Sequence, residues 1–224
     1  MDRSIEESIK EIRQEMGKAA LSAGRHIDDT TLVAVSKKQP DDRIDAALDA
    51  GLRVFGENRV QEAQGRWAHR RQTIPDLSLR LIGPLQTNKA AEAVALFDVI
   101  ETLDREKLAR VLAAEMEKQG RALDCLIQVN TGEEEQKSGI SPREAVAFSH
   151  FCRDDLGLRI TGLMCIPPVS EEAAMHFALL AKLGREAGLP HLSMGMSADF
   201  AEAIRFGSTH VRVGSALFGE RPPA

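Results

Sequence analysis

The stretch T-L-V-A-V-S-K, residues 31 to 37, decides how the rest of the chain is read. Its five mostly apolar, β-prone residues suit a strand buried on both faces, as in a parallel sheet, and a charged residue ending such a strand has to emerge at a rim. Lys37 therefore stands at a strand mouth. Such a lysine is either a solvated cap or a reactive amine, and the surrounding chain has to separate the two.

Upstream, Ile5, Ile9, Ile12, Met16, Ala19 and Ala20 recur at three- and four-residue steps, which predicts an amphipathic helix over residues 4 to 23, stopped at Gly24. Downstream, strand and helix alternate. A helix over 41 to 50 is followed by the strand L-R-V-F-G-E-N, and a helix over 59 to 71 by a strand over 79 to 82 that stops at Gly83-Pro84. Then come a helix over 87 to 96, a brief strand at Val99 and Ile100, a helix over 104 to 119 and a strand over 123 to 130. The polar loop T-G-E-E-E-Q-K-S-G leads to Ser141-Pro142 and Glu144, read as the start of a helix. Strands over 158 to 164, 189 to 194 and 209 to 214 alternate with helices over 171 to 187 and 198 to 206. Eight strand-then-helix units predict a single (β/α)8 TIM barrel with an additional N-terminal helix, one domain spanning residues 1–224. An open doubly wound sheet is the alternative, because the fourth and seventh strands are weakly marked.

Composition narrows the function. The 29 Lys and Arg are dispersed among 34 acids at net charge -5, so no nucleic acid partner is expected. Cys125, Cys152 and Cys165 form no ligand or redox motif, His176, His191 and His210 show no metal-ligand spacing, and no metal is expected. A charged N-terminus and the lack of any apolar run near the ~20 residues of a membrane span point to a soluble, cytoplasmic protein with no membrane partner. There is no tyrosine, so no mechanism can use a phenol of this chain.

In a barrel, the C-terminal strand ends face one shared site, and the unusual residues collect there: Lys37, Glu57 and Asn58, G-P-L-Q-T-N-K, residues 130 to 139, Met164-Cys165, S-M-G-M-S and R-V-G-S. The last two segments, residues 193 to 197 and 212 to 215, offer small residues and backbone N–H groups suited to a phosphate. A desolvated strand-end lysine can present a free amine to a carbonyl. An aldehyde cofactor with a phosphate tail would use both, with Arg212 near a pyridine ring. Glu57 is the one evident acid near Lys37 that a Schiff-base enzyme acting on a sugar phosphate could use for proton transfer.

The segments A-V-S-K at 34 to 37, F-G-E-N at 55 to 58, I-G-P-L-Q-T-N-K at 82 to 89, K-S-G at 137 to 139, G-L-M at 162 to 164, L-S-M-G-M-S-A-D at 192 to 199 and R-V-G-S-A-L-F-G at 212 to 219 together resemble the YggS/PROSC family of pyridoxal phosphate homeostasis proteins. The resemblance runs in order along nearly the whole chain. It implies an alanine-racemase-like, fold type III barrel that binds pyridoxal 5'-phosphate (PLP) as a Schiff base on Lys37. It further implies phosphate contacts from Ser197, Gly214 and Ser215, Arg212 facing the pyridine nitrogen, and Asn58 beside the ring. Two places depart from the family pattern: Gln39 stands where a second lysine is frequent, and the chain ends R-P-P-A instead of in a basic tail.

The implied role is intracellular PLP homeostasis: holding and releasing the cofactor, with apo PLP-dependent enzymes as recipients, as a monomer and without amino-acid turnover. The alternative is a PLP-dependent amino-acid racemase of the same barrel type. A two-base racemase of the alanine type needs a tyrosine opposite the lysine and a second β domain after the barrel, and neither is expected here. Cys165 reads as a small buried hydrophobe. Lys38 and Lys89 read as lysines paired with solvent or an acid. The acidic run before Lys137 reads as a solvated loop and a candidate lid.

Overall fold

A computed structural model describes residues 3–219; the first two residues and residues 220–224, which include the R-P-P-A ending, lie outside the described residues. The chain opens with α1 (Ile5–Ser22), whose start is fixed by a capping box: Ser4 Oγ accepts from the Glu7 amide at 3.1 Å while the Ser4 amide donates to the Glu7 carboxylate at 3.2 Å. Its apolar stripe, Ile9, Ile12, Met16, Ala19 and Ala20, is buried.

Eight strands follow: β1 (Thr31–Val35), β2 (Val54–Glu57), β3 (Ser78–Leu81), β4 (Val99–Leu103), β5 (Asp124–Val129), β6 (Arg159–Cys165), β7 (His191–Met196) and β8 (His210–Val213). All pair in parallel and in sequence order, and β1 pairs with β8 from Thr31 opposite His210 to Ala34 opposite Val213. That pairing closes the barrel and removes the open-sheet alternative. Between strands lie α2 (Asp41–Asp49), α3 (Val60–Trp67), α4 (Arg70–Thr73), α5 (Ala90–Leu96), α6 (Glu106–Gln119), α7 (Ala145–His150), α8 (Ala173–Glu186), α9 (Phe200–Arg205) and α10 (Ser215–Phe218). The opening helix packs on α2, α9 and α10, covering the seam where the barrel closes.

Side chains alternate between the two faces of each strand. Leu32, Ala34, Phe55, Leu79, Leu81, Val211 and Val213 join the large core between barrel and helices. The other parity lines the interior, where Val99, Leu126 and Met164 form a small cluster of their own. Val33 belongs to that interior too: a Cβ added at Gly56 would stand 3.2 Å from Val33 Cγ1 and 2.9 Å from Ile82 Cδ1.

Three sequence expectations shift. Strand β4 runs to Leu103 instead of ending at Ile100, because the polar pair Glu101 and Thr102 is buried and satisfied; Thr102 Oγ1 donates to the Gly83 carbonyl at 2.9 Å. The helix expected at Ser141 begins at Ala145. Ile140 is still bridged to Val129, and a turn closed by the Glu144 amide on the Ser141 carbonyl at 3.0 Å must come first. Beyond α7 the chain continues as a π-helical turn, Phe151–Asp155, and the helix expected over 59 to 71 is two segments, α3 and α4.

Candidate functional site

The lysine of the opening stretch sits in a tight turn immediately after β1. The Gln39 amide donates to the Ser36 carbonyl at 3.1 Å, and Lys38 takes a left-handed φ of 59°, unusual for a side chain of its kind. The turn is gripped from outside the barrel. Arg66, on α3, donates to the Ser36 carbonyl at 2.9 Å and to the Gln39 carbonyl at 3.0 Å, one on each side of Lys37. Arg66 is itself anchored on Glu57, whose Oε1 accepts from Arg66 at 3.0 Å, Ser36 Oγ at 2.7 Å and Trp67 Nε1 at 3.0 Å. Lys37 is half-buried, in the turn two residues past the end of β1.

This geometry corrects one expectation. Glu57 is fully buried, but on the outer parity of β2, where it contacts Ser36 and α3. It shapes the turn that carries the lysine and is no proton shuttle inside the barrel.

Asn58 follows Glu57 on the inward parity, and its Oδ1 is buried without a hydrogen-bond partner among the described residues. The loop after β3 crosses directly over it: a Cβ at Gly83 would lie 2.3 Å from the Asn58 carbonyl oxygen, so only glycine fits there. A cleft of about 790 Å3 opens at this rim, lined by Asn58, Pro84, Gln86, Lys89, Arg105 and Ser138 among others.

On the other side of β1, the loops after β7 and β8 meet, with Gly214 close against Val35. The backbone amides of Gly214 and Ala216 both donate to Ser197 Oγ, at 3.2 and 3.3 Å. Two amides and a hydroxyl thus converge at the start of α10, with Ser215 between them. Such an arrangement suits the oxygens of an anion.

Arg212 lies below, 3 % exposed, on the inward parity of β8. Its Nη1 donates to Ser193 Oγ at 2.7 Å and its Nη2 to the Cys165 carbonyl at 2.8 Å. Ser193 Oγ in turn donates to Glu101 Oε2 at 2.5 Å, and Glu101 Oε1 pairs with Arg80. This buried network therefore joins two guanidiniums, Arg80 and Arg212, through one carboxylate, Glu101. Burial alone would push the Glu101 carboxyl up, but Arg80 and then Arg212 overcome it and hold the group below the usual range. His210 is forced down to about 3, first by burial and then by the Arg80 charge, so its imidazole is neutral at physiological pH.

The remaining residues take the roles their surroundings dictate. Cys165 is buried in the outer core and burial pushes its thiol up to about 12. Lys89 pairs with Glu92 at 2.9 Å. Lys137 pairs with Glu134, on a loop held by Asn130 Nδ2 donating to the Glu134 carbonyl at 2.8 Å. Arg66, Arg80 and Glu101 were not singled out from sequence. The available signal was period two: in V-I-E-T-L, Glu101 shares its face with Val99 and must therefore meet a partner inside the barrel.

The family description "Alanine racemase, N-terminal domain" matches residues 12–222. Full-length similarity then decides the family. The Pyridoxal phosphate homeostasis protein of Vibrio cholerae is 39% identical over 229 residues, covering 98% of this chain and 97% of that protein. That of Pseudomonas aeruginosa is 40% identical over 225 residues, covering 97% and 96%. The chain belongs to the pyridoxal phosphate homeostasis protein family. Among solved structures, PipY of Synechococcus elongatus with PLP bound is 35% identical with a TM-score of 0.82, covering 96% of this chain and 100% of that one. An alanine racemase of Clostridium difficile shares the fold alone: 15% identity, TM-score 0.69, and cover of 87% of this chain and 53% of the racemase.

Proposed function

We propose that this homeostasis-family barrel binds pyridoxal 5'-phosphate on Lys37 and serves to hold and release it inside the cell. The observation that carries the reading is a clamped lysine in the turn after β1 and, beside it at the ends of the neighbouring β8 and β7, two backbone amides and the Ser197 hydroxyl converging on one point. The residues fit the group. Asn58 Oδ1 is a buried acceptor lacking a partner among the described residues, and Arg212 supplies a fixed donor to the interior. Bound there, PLP supplies an aldehyde for the lysine amine and a phosphate for the amides.

In this reading Lys37 forms the Schiff base, and Ser197, Gly214 and Ser215 take the phosphate. Arg212 faces the pyridine nitrogen and Asn58 flanks the ring. A guanidinium stays protonated and cannot give the ring nitrogen a full proton, so the electron sink needed for amino-acid chemistry is weak. The sequence has no tyrosine to act opposite the lysine. Relatives with both of the highest identities quoted above are named for homeostasis, as is the Escherichia coli relative at 37%. Together these support a carrier and not a racemase.

The same reading has residues 1–224 acting as one domain, cytoplasmic and monomeric, with apo PLP-dependent enzymes as recipients. Among the described residues, no helix is long and apolar enough to cross a membrane.

The test is spectroscopic. Purified protein given PLP develops a visible imine band, Lys37→Ala does not, and neither racemises alanine above the free-cofactor background. Colourless wild-type protein overturns PLP binding; Lys37-dependent racemisation overturns the carrier role.

A further inference from the structure

We propose that Glu101 is a positioning residue which, through Ser193, sets the orientation in which Arg212 meets the ring end of the cofactor. This rests on the PLP reading above. The contact chain is continuous and buried: Arg80 to Glu101 Oε1, Ser193 Oγ to Glu101 Oε2 at 2.5 Å, Arg212 Nη1 to Ser193 Oγ at 2.7 Å, and Arg212 Nη2 to the Cys165 carbonyl at 2.8 Å.

A hydroxyl has one proton and two lone pairs. Because a carboxylate only accepts, the Ser193 proton must go to Glu101, and a lone pair is then turned toward Arg212. Glu101 thus determines the polarity of the hydroxyl, and the hydroxyl determines where Nη1 is held. A neutral amide at position 101 would offer either an oxygen or an NH2 group to Ser193. In the second case the hydroxyl accepts from the amide, its proton is free to turn on Arg212, and the anchor is weakened.

Charge points the same way. Arg80 and Arg212 are 7 % and 3 % exposed, and Glu101 is the carboxylate between them. Of the other groups facing this network, His210 and His191 are stacked edge to face at 5.3 Å between ring centroids. Neither supplies negative charge, so Glu101 also screens the two guanidiniums from each other.

Full-length Ser193→Ala and Glu101→Gln, loaded with PLP, test the assignment through the position of the visible band and the rate of cofactor loss. Ser193→Ala keeps the Arg80–Glu101 pair. It should shift the band and speed cofactor loss about tenfold, the scale of one hydrogen bond to a charged group. Ser193→Thr, which keeps the hydroxyl, should restore both. Glu101→Gln should shift the band in the same direction, and the double variant should add little, because the two residues act in series. If Glu101→Gln fails to fold, Glu101→Asp, which keeps the carboxylate but shortens its reach to Ser193, takes its place with the same expected shift. A folded Glu101 variant that keeps both band and rate of cofactor loss overturns the assignment.

Wild-type protein that takes up PLP while Ser193→Ala keeps its band and its rate of cofactor loss overturns this inference and leaves the cofactor reading intact. Wild-type protein that takes up no PLP overturns both.

Discussion

Glu57 and Glu101 are both fully buried carboxylates on barrel strands, and both anchor an arginine, yet they serve opposite sides of the wall. Glu57 lies on the outer parity of β2 and, through Arg66, holds the turn that carries Lys37. Glu101 lies on the inner parity of β4 and, through Ser193, holds Arg212. One residue of strand register separates scaffolding for the amine from scaffolding for the ring. Burial and residue type alone do not tell them apart.

The largest expected effect falls on the outer carboxylate. Glu57→Ala leaves the buried Trp67 indole N–H and the Ser36 hydroxyl without their acceptor and removes the carboxylate anchor of the half-buried Arg66. It should cost about 3 kcal/mol in urea unfolding. In protein that still folds, borohydride-trapped attachment of PLP should slow while the visible band keeps its position. Glu101→Gln should do the reverse, moving the band without slowing attachment. The comparison breaks if both substitutions change both readouts alike.

Gly83→Ala comes next. Its methyl group would meet the Asn58 backbone, which cannot step aside, so a loss of about 1–3 kcal/mol is expected together with weaker PLP binding. A substitution that binds PLP like wild type would show that Asn58 does not depend on this close approach.

The inner network should also leave a mark on acid stability. His210 is neutral down to about pH 3 in the folded protein but takes up a proton near 6.5 when unfolded. The unfolded state then binds more protons below pH 6.5, so folding stability drops as pH falls from there toward 3, by up to about 1.4 kcal/mol per pH unit from this one group. His210→Gln should flatten that slope in unfolding curves taken between pH 6.5 and 4. Glu101, with a lowered pKa, contributes stability that is present above the usual carboxylate range and is lost only as pH falls through its folded value.

The smallest effect concerns the turn itself. Lys38→Gly relieves a left-handed backbone at φ 59° but adds chain entropy to the unfolded state, for a net gain of about 0.5 kcal/mol. PLP attachment should not change, because Arg66 and not residue 38 holds the turn's carbonyls.

These predictions also mark what was legible in the sequence. The barrel was, because T-L-V-A-V, L-D-C-L-I-Q-V and T-H-V-R-V are apolar runs punctuated by Gly, Pro and amphipathic helices at regular intervals. Lys37, Asn58, Ser197, Arg212, Gly214 and Ser215 could be placed at strand ends or in a strand for the same reason. Glu101 was hidden because a charge inside a short apolar run looks like the end of a strand. Pairing with the neighbouring β3 brings Arg80 to it, and only closure of the barrel brings Ser193 from β7, far away in the chain. Arg66 was hidden more deeply, since its targets are backbone carbonyls 27 and 30 residues away, which leave no trace in side-chain pattern.

The central claim is that Lys37 is the amine that holds PLP, and reduction tests it most directly. Borohydride treatment of the PLP-loaded protein, followed by proteolysis and mass spectrometry, should place one reduced pyridoxyl-phosphate group on Lys37. A label on Lys38, Lys89 or Lys137 with Lys37 unmodified, or no label at all, would contradict it.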